Sequence, residues 1–135
     1  MRTPPTWPVS VKGVAAADGR VVLLKNERDE WELPGGRLEA GDASPEAAVE
    51  RELDEETGWQ VRAQRLLDVW IYQPLPDSDR RVVIVTYGCT VLTPEVVPLV
   101  SHEHKQIGLF TLDELSGLRL PDGYRRSIAA WMAER

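Results

Sequence analysis

The feature that most constrains this chain is a glycine pair, Gly35-Gly36, followed by an acidic stretch that closes at Gly58-Trp59: GGRLEAGDASPEAAVERELDEETGW. Ser44-Pro45 predicts a helix start, with Ser44 as N-cap and Pro45 at the first helical position, where a missing N–H does no harm. Good helix formers continue to Thr57, and Gly58 supplies a left-handed stop. At about 100° per residue, Glu52, Glu55 and Glu56 fall within one narrow sector of that helix. Like charges at these spacings each destabilise by roughly 0.2–0.5 kcal/mol. Glu55 and Glu56 also lie in the last turn, where the helix dipole disfavours anions. Two local rules are broken by the same three residues, a conflict expected where function overrides stability. A hard divalent cation removes it, because such ions take carboxylate and carbonyl oxygens. The Gly35-Gly36 turn lets a backbone carbonyl approach the same ion without a Cβ in the way. The plainer reading is a solvated helix face, shared with Glu50 and Asp54.

The rest of the chain reads as strands around this helix. Residues 3–8 hold three prolines and predict an extended arm over residues 1–8, leaving one domain over residues 9–135. Residues 9–17 and 20–25 read as strands joined at the Asp18-Gly19 turn. A third strand over residues 29–33 runs into a tight loop at Pro34-Gly35-Gly36. Residues 61–72 and 81–92 read as longer strands, with a short one near 107–111. A closing helix follows Pro121-Asp122, with Ile128, Trp131 and Met132 at helical spacing. The fold class is α+β.

Composition narrows the partners. The 135 residues suit one core, and 42% hydrophobic with 28% charged is a globular balance. A net charge of −6 argues against a nucleic-acid footprint, which needs clustered Lys and Arg. No stretch reads as a signal peptide or a bilayer span. Cys89, the only cysteine, lies in an apolar run and reads as a core residue of a chain in a reducing, cytoplasmic setting.

The acidic segment resembles the Nudix box, G-x5-E-x7-R-E-U-x-E-E-x-G-U, where U is a bulky apolar residue. Arg51 through Trp59 match its second half, and Gly36 matches the opening glycine. The chain departs in two places: Asp42 stands where the pattern has Glu, and one extra residue lies near Asp42 or Ala43. The strand and turn Trp31-Glu32-Leu33-Pro34 also resemble what precedes the box in this family. The resemblance implies a mixed β-sheet flanked by helices, an α/β/α sandwich. It further implies hydrolysis of a nucleoside diphosphate linked to a group X, a small-molecule nucleotide substrate, with no membrane or nucleic-acid partner; a homodimer is compatible.

Carried over by position, the resemblance gives the metal site to Glu52, Glu55 and Glu56, with the Gly35 carbonyl, and expects the three carboxylates to converge on one or two cations. Mg²⁺ is the implied cofactor, with Mn²⁺ as substitute. Arg51 is expected to orient a box glutamate. The base that accepts the attacking water's proton is Glu103, in Ser101-His102-Glu103-His104, or else Glu52. His102 and His104 read as loop residues, since Mg²⁺ prefers oxygen. Pro74, fifteen residues past Trp59, resembles a marker of ADP-ribose-cleaving members, although turns attract proline for local reasons. ADP-ribose or an ADP-sugar is thus the leading substrate, with Trp31, Tyr72 and Pro74 as substrate-binding candidates. Two alternatives stand beside it: a nucleoside triphosphate (oxidised ones included) cut to monophosphate and pyrophosphate, and a nucleotide-sensing domain without catalysis.

Overall fold

In the computed structural model, residues 3–99 and 106–134 are described. They form β1 (Val9–Ala17), β2 (Arg20–Lys25), β3 (Trp31–Glu32), β4 (Gly35–Arg37), α1 (Pro45–Thr57), β5 (Val61–Tyr72), β6 (Val82–Val91), β7 (Gln106–Phe110), a 3₁₀ turn (Asp113–Gly117) and α2 (Asp122–Met132). Strand β1 is the hub of the sheet. It pairs in parallel with β6 along most of its length, antiparallel with β4 near its start, and antiparallel with β2 at its end. Beyond these, β5 flanks β6, while β3 and β7 flank β2. The mixed sheet is the expected one.

The two faces of β1 show how the layers form. Val11 and Ala15 are fully buried with Ala48, Val49 and Leu53 of α1. Gly13 points the same way, since a Cβ there would lie 3.0 Å from Val49, Leu53 and Cys89. Val14 faces the other side and joins Ile84, Tyr124, Ile128 and Trp131, the last three from α2. A strand buried on both faces reads as a nearly continuous apolar run, as 9–17 does. One helix therefore covers each face of the sheet. Among the described residues, no helix is long and apolar enough to cross a membrane.

The Asp18-Gly19 turn has φ of 53° and 75°, the left-handed pair of a two-residue hairpin. The third strand differs from expectation. Asn26 Oδ1 accepts hydrogen bonds from the amides of Arg28 and Glu30, and Asp29 has φ of 61°. This local turn delays the strand to Trp31–Glu32. Where a tight loop was expected, Gly35–Arg37 pairs with β1 as β4.

Candidate active site

Helix α1 brings the acidic residues to the Gly35-Gly36 strand. Ser44 Oγ accepts from the Ala47 amide at 3.0 Å, and Gly58, at φ 81°, donates its N–H to the Asp54 carbonyl at 2.9 Å. Both ends follow the expected capping. With Leu53 in the core, Glu52 and Glu56 lie one turn apart on the flank that meets β4. The Gly35 N–H donates to Glu56 Oε1 at 3.3 Å. A Cβ on Gly36 would sit 2.7 Å from Glu52 Oε1, so glycine is what allows the carboxylate to lie on the strand.

Glu56 is only 3% exposed, and the side chain of Glu52 12%. Burial pushes the Glu56 carboxyl up to about 9, and its hydrogen bond with Glu52 adds to the rise, while Lys12 opposes it. At neutral pH the Glu56 carboxyl therefore keeps its proton. Glu55 departs from the expected convergence. Its side chain is 59% exposed and turned to Arg51, its partner one helical turn back. Among the described residues, no three His, Cys, Asp or Glu side chains are gathered closely enough to hold an ion. Two of the three box carboxylates meet, and an ion pair on the outer face holds the third aside.

Arg51 organises this arrangement. Its Nε and Nη2 donate to the two oxygens of Asp42, each at 3.1 Å, the bidentate geometry that fixes a guanidinium best. Its Nη1 reaches Glu52 Oε1 at 3.2 Å and Glu55 Oε2 at 3.3 Å. Asp42 in turn accepts from the Glu39 amide at 2.8 Å. The Asp42 carboxyl is held below its ordinary range by Arg51 first and by that amide second. The shorter acid and the extra loop residue thus still join the loop to the helix.

Lys12 is a functional candidate that sequence reasoning missed. It lies 6% exposed on β1, with Glu32 Oε2 at 3.8 Å. Burial pulls its ammonium down, but Tyr124, Glu32, Glu56 and Glu52 together hold it above the usual lysine range, so it stays charged. A lone charge within the apolar run VSVKGVAAA was the available signal. Lys12 opens onto a cavity of about 300 Å³ that Arg28, Arg37 and Arg80 also line, with Tyr72 and Pro74. Tyr72 donates to Glu30 Oε1 at 2.6 Å, which also accepts from Arg28 Nε at 3.2 Å. Trp31 is elsewhere: it is a core residue, packed edge-on against Phe110 at 4.8 Å between ring centres. Glu103, with His102 and His104, lies outside the described residues.

The Glu56 shift has a consequence for stability. A carboxyl whose pKa rises on folding stabilises the fold fully below its ordinary value near 4.5, and this contribution is lost as pH climbs through about 9. The metal-free protein is expected to lose Tm between pH 5 and 9. Glu56→Gln, which mimics the neutral acid, should flatten that slope and raise Tm at pH 9 by roughly 3–6 °C. Parallel melting curves for the two proteins across this range check it; an unchanged slope in the variant contradicts it.

The fold and this site agree with comparisons to known proteins. The family model described as NUDIX domain matches residues 5–132. A MutT-like protein of Streptomyces ambofaciens is 35% identical over 116 residues, covering 84% of this chain and 70% of the relative. An ADP-ribose pyrophosphatase of Methanocaldococcus jannaschii is 31% identical over 116 residues, covering 82% of this chain and 65% of the relative. The chain thus spans about two thirds of the length of these relatives. Among solved structures, a UDP-X diphosphatase superposes with a TM-score of 0.76 at 23% identity, covering 99% of this chain and 67% of that one. With the family model matched over nearly its whole length, this chain belongs to the NUDIX family and is a Nudix hydrolase.

Proposed function

We propose that this protein uses Mg²⁺, or Mn²⁺ in its place, to hydrolyse the diphosphate linkage of a nucleoside diphosphate joined to X, with ADP-ribose or an ADP-sugar as substrate. The observation that carries the reading is the buried Glu52–Glu56 pair, seated on Gly35-Gly36 and neighbouring the Lys12 end of a cavity rich in cationic side chains. Nudix hydrolases generally use divalent metals and act on small nucleotide substrates. The residues present fit a hard cation. The pair is all oxygen, Glu56 carries a proton that a cation can replace, and the strand beneath has no Cβ to fill the space. Glu52 and Glu56 would hold it with the Gly35 carbonyl, and Glu55 would join them only on leaving Arg51. When bound, such an ion neutralises phosphate oxygens and lowers the pKa of a coordinated water.

The chain's own residues do the rest. Lys12, Arg37 and Arg80 attract and orient the phosphates along the cavity. Arg51, fixed by Asp42, positions the Glu52 carboxylate. A water attacks one phosphorus, the bridging P–O bond breaks, and the water's proton passes to Glu103 or, in its place, to Glu52. The ADP-ribose reading draws on Pro74 lining the cavity and on the name of the archaeal relative.

A panel of ADP-ribose, ADP-glucose, a dinucleoside polyphosphate and nucleoside triphosphates, with and without Mg²⁺, tests it by product analysis. The expected result is Mg²⁺-dependent release of AMP and a sugar phosphate from the first two. Cleavage confined to triphosphates would overturn the substrate, and no turnover of any member would favour a nucleotide-sensing domain.

A further inference from the structure

Arg80 shares the wall of the cavity lined by Lys12 and Pro74. Arg80 also lines a second, more open recess of about 500 Å³, whose other walls are Thr6, Trp7, Pro8, Asp79 and Arg81. The two spaces therefore adjoin at Arg80. We propose that the recess is a nucleobase subsite, in which the base of the substrate stacks on Trp7 and presents an exocyclic amine to Asp79. The inference rests on the diphosphate hydrolysis proposed above and assigns the end of the substrate remote from the reacting phosphates.

Three observations carry it. Trp7 is 41% exposed, yet it is held in place: the next residue, Pro8, accepts a hydrogen bond from the Val83 amide at 3.0 Å, just where β1 begins. An indole presented to solvent from a fixed backbone is a preformed stacking surface, and every base has a π-face to meet it. Second, the flanking groups suit a nucleotide. The planar guanidinium groups of Arg80 and Arg81 can stack on a ring or hold a phosphate, and Arg80 stands at the junction where ribose gives way to phosphate. Third, the Asp79 carboxylate can only accept, so it can take the exocyclic amine of a base such as adenine. In a chain of net charge −6, Lys12, Arg37 and Arg80 line the first space and Arg80 and Arg81 the second, a grouping of cations that suits an anionic ligand with a flat end.

The test is binding of AMP and of ribose 5-phosphate by calorimetry without metal, to wild type, Trp7→Ala and Trp7→Phe. Melting curves confirm that each variant folds. Wild type should bind AMP at least tenfold more tightly than ribose 5-phosphate. Trp7→Ala should lose about 10- to 100-fold in AMP affinity, the usual worth of one stacked base, while Trp7→Phe stays within a few-fold of wild type. With ADP-ribose as substrate, Trp7→Ala should raise KM by a similar factor and leave kcat within twofold. Equal AMP affinity in wild type and Trp7→Ala, or no preference for AMP over ribose 5-phosphate, overturns the subsite. Because the binding experiment needs no turnover, a failure of the hydrolytic reading shows separately, as absence of products from every diphosphate.

Discussion

Glu103→Gln is expected to lower kcat by roughly 10²–10⁴, the range for losing a positioned base, while KM changes little. Glu56 is buried and bonded to Gly35, Glu52 is hydrogen-bonded to Glu56 and meets Arg51, and Glu55 is paired to Arg51 on the outer face. None stands ready to accept a proton from an attacking water once the first two hold a cation. The chain on the way to Glu103 comes to the right end of the helix. Trp59 Nε1 donates to the Val96 carbonyl at 2.7 Å, and the Leu99 amide to the Thr57 carbonyl at 3.3 Å, one residue from Glu56. Glu103 follows four residues later. Glu52→Gln should behave differently, weakening metal binding together with turnover. Near-normal kcat in Glu103→Gln beside a dead Glu52→Gln would move the base onto the helix.

The largest expected effect on stability is at Gly35. Its φ of +146° is a conformation that side-chain-bearing residues rarely adopt, and a Cβ there would lie 2.0 Å from the Val11 carbonyl oxygen and 2.8 Å from the Lys12 Cα. Those are backbone atoms of the central strand β1, paired to Gly35 itself through Lys12 and buried on both faces, so they cannot yield cheaply. Gly35→Ala should destabilise by about 3–5 kcal/mol, a large share of the roughly 5–15 kcal/mol typical of a domain. Gly36→Ala is the control. There the intruded atoms are the flexible end of Glu52, which can swing away, so the fold should survive. Urea titration of the two variants measures the contrast, and a wild-type midpoint for Gly35→Ala would contradict it.

The local parts of this site were legible because they are written in short spacings. Ser44-Pro45 and Gly58 bound the helix in the sequence as they do in the structure, and the i,i+4 spacing of Glu52 and Glu56 is enough to put them side by side. What spacing does not carry is which carboxylate a neighbouring arginine captures. Glu55 shares the sector of the other two, but Arg51 at i−4 draws it outward. Long-range placement was equally hidden. Arg37 and Arg80 come together because β4 and β6 both pair with β1, Arg28 joins them from the turn between β2 and β3, and no local pattern announces that meeting. Trp31 and Tyr72 looked alike as aromatic residues on strands. The core took the first, and the hydroxyl of the second found Glu30 at the cavity wall. The short β3 followed from the Asn26 side chain bonding the backbone of its own turn.

The most direct test of the account is hydrolysis of ADP-ribose by the intact chain with Mg²⁺ in ¹⁸O-enriched water, with the products weighed by mass spectrometry. Attack of water on phosphorus at the buried Glu52–Glu56 site predicts AMP and ribose 5-phosphate, with one heavy oxygen in the phosphate of one product and none in the other. Label in a ribose hydroxyl with release of ADP would instead mean attack at carbon and would contradict the account.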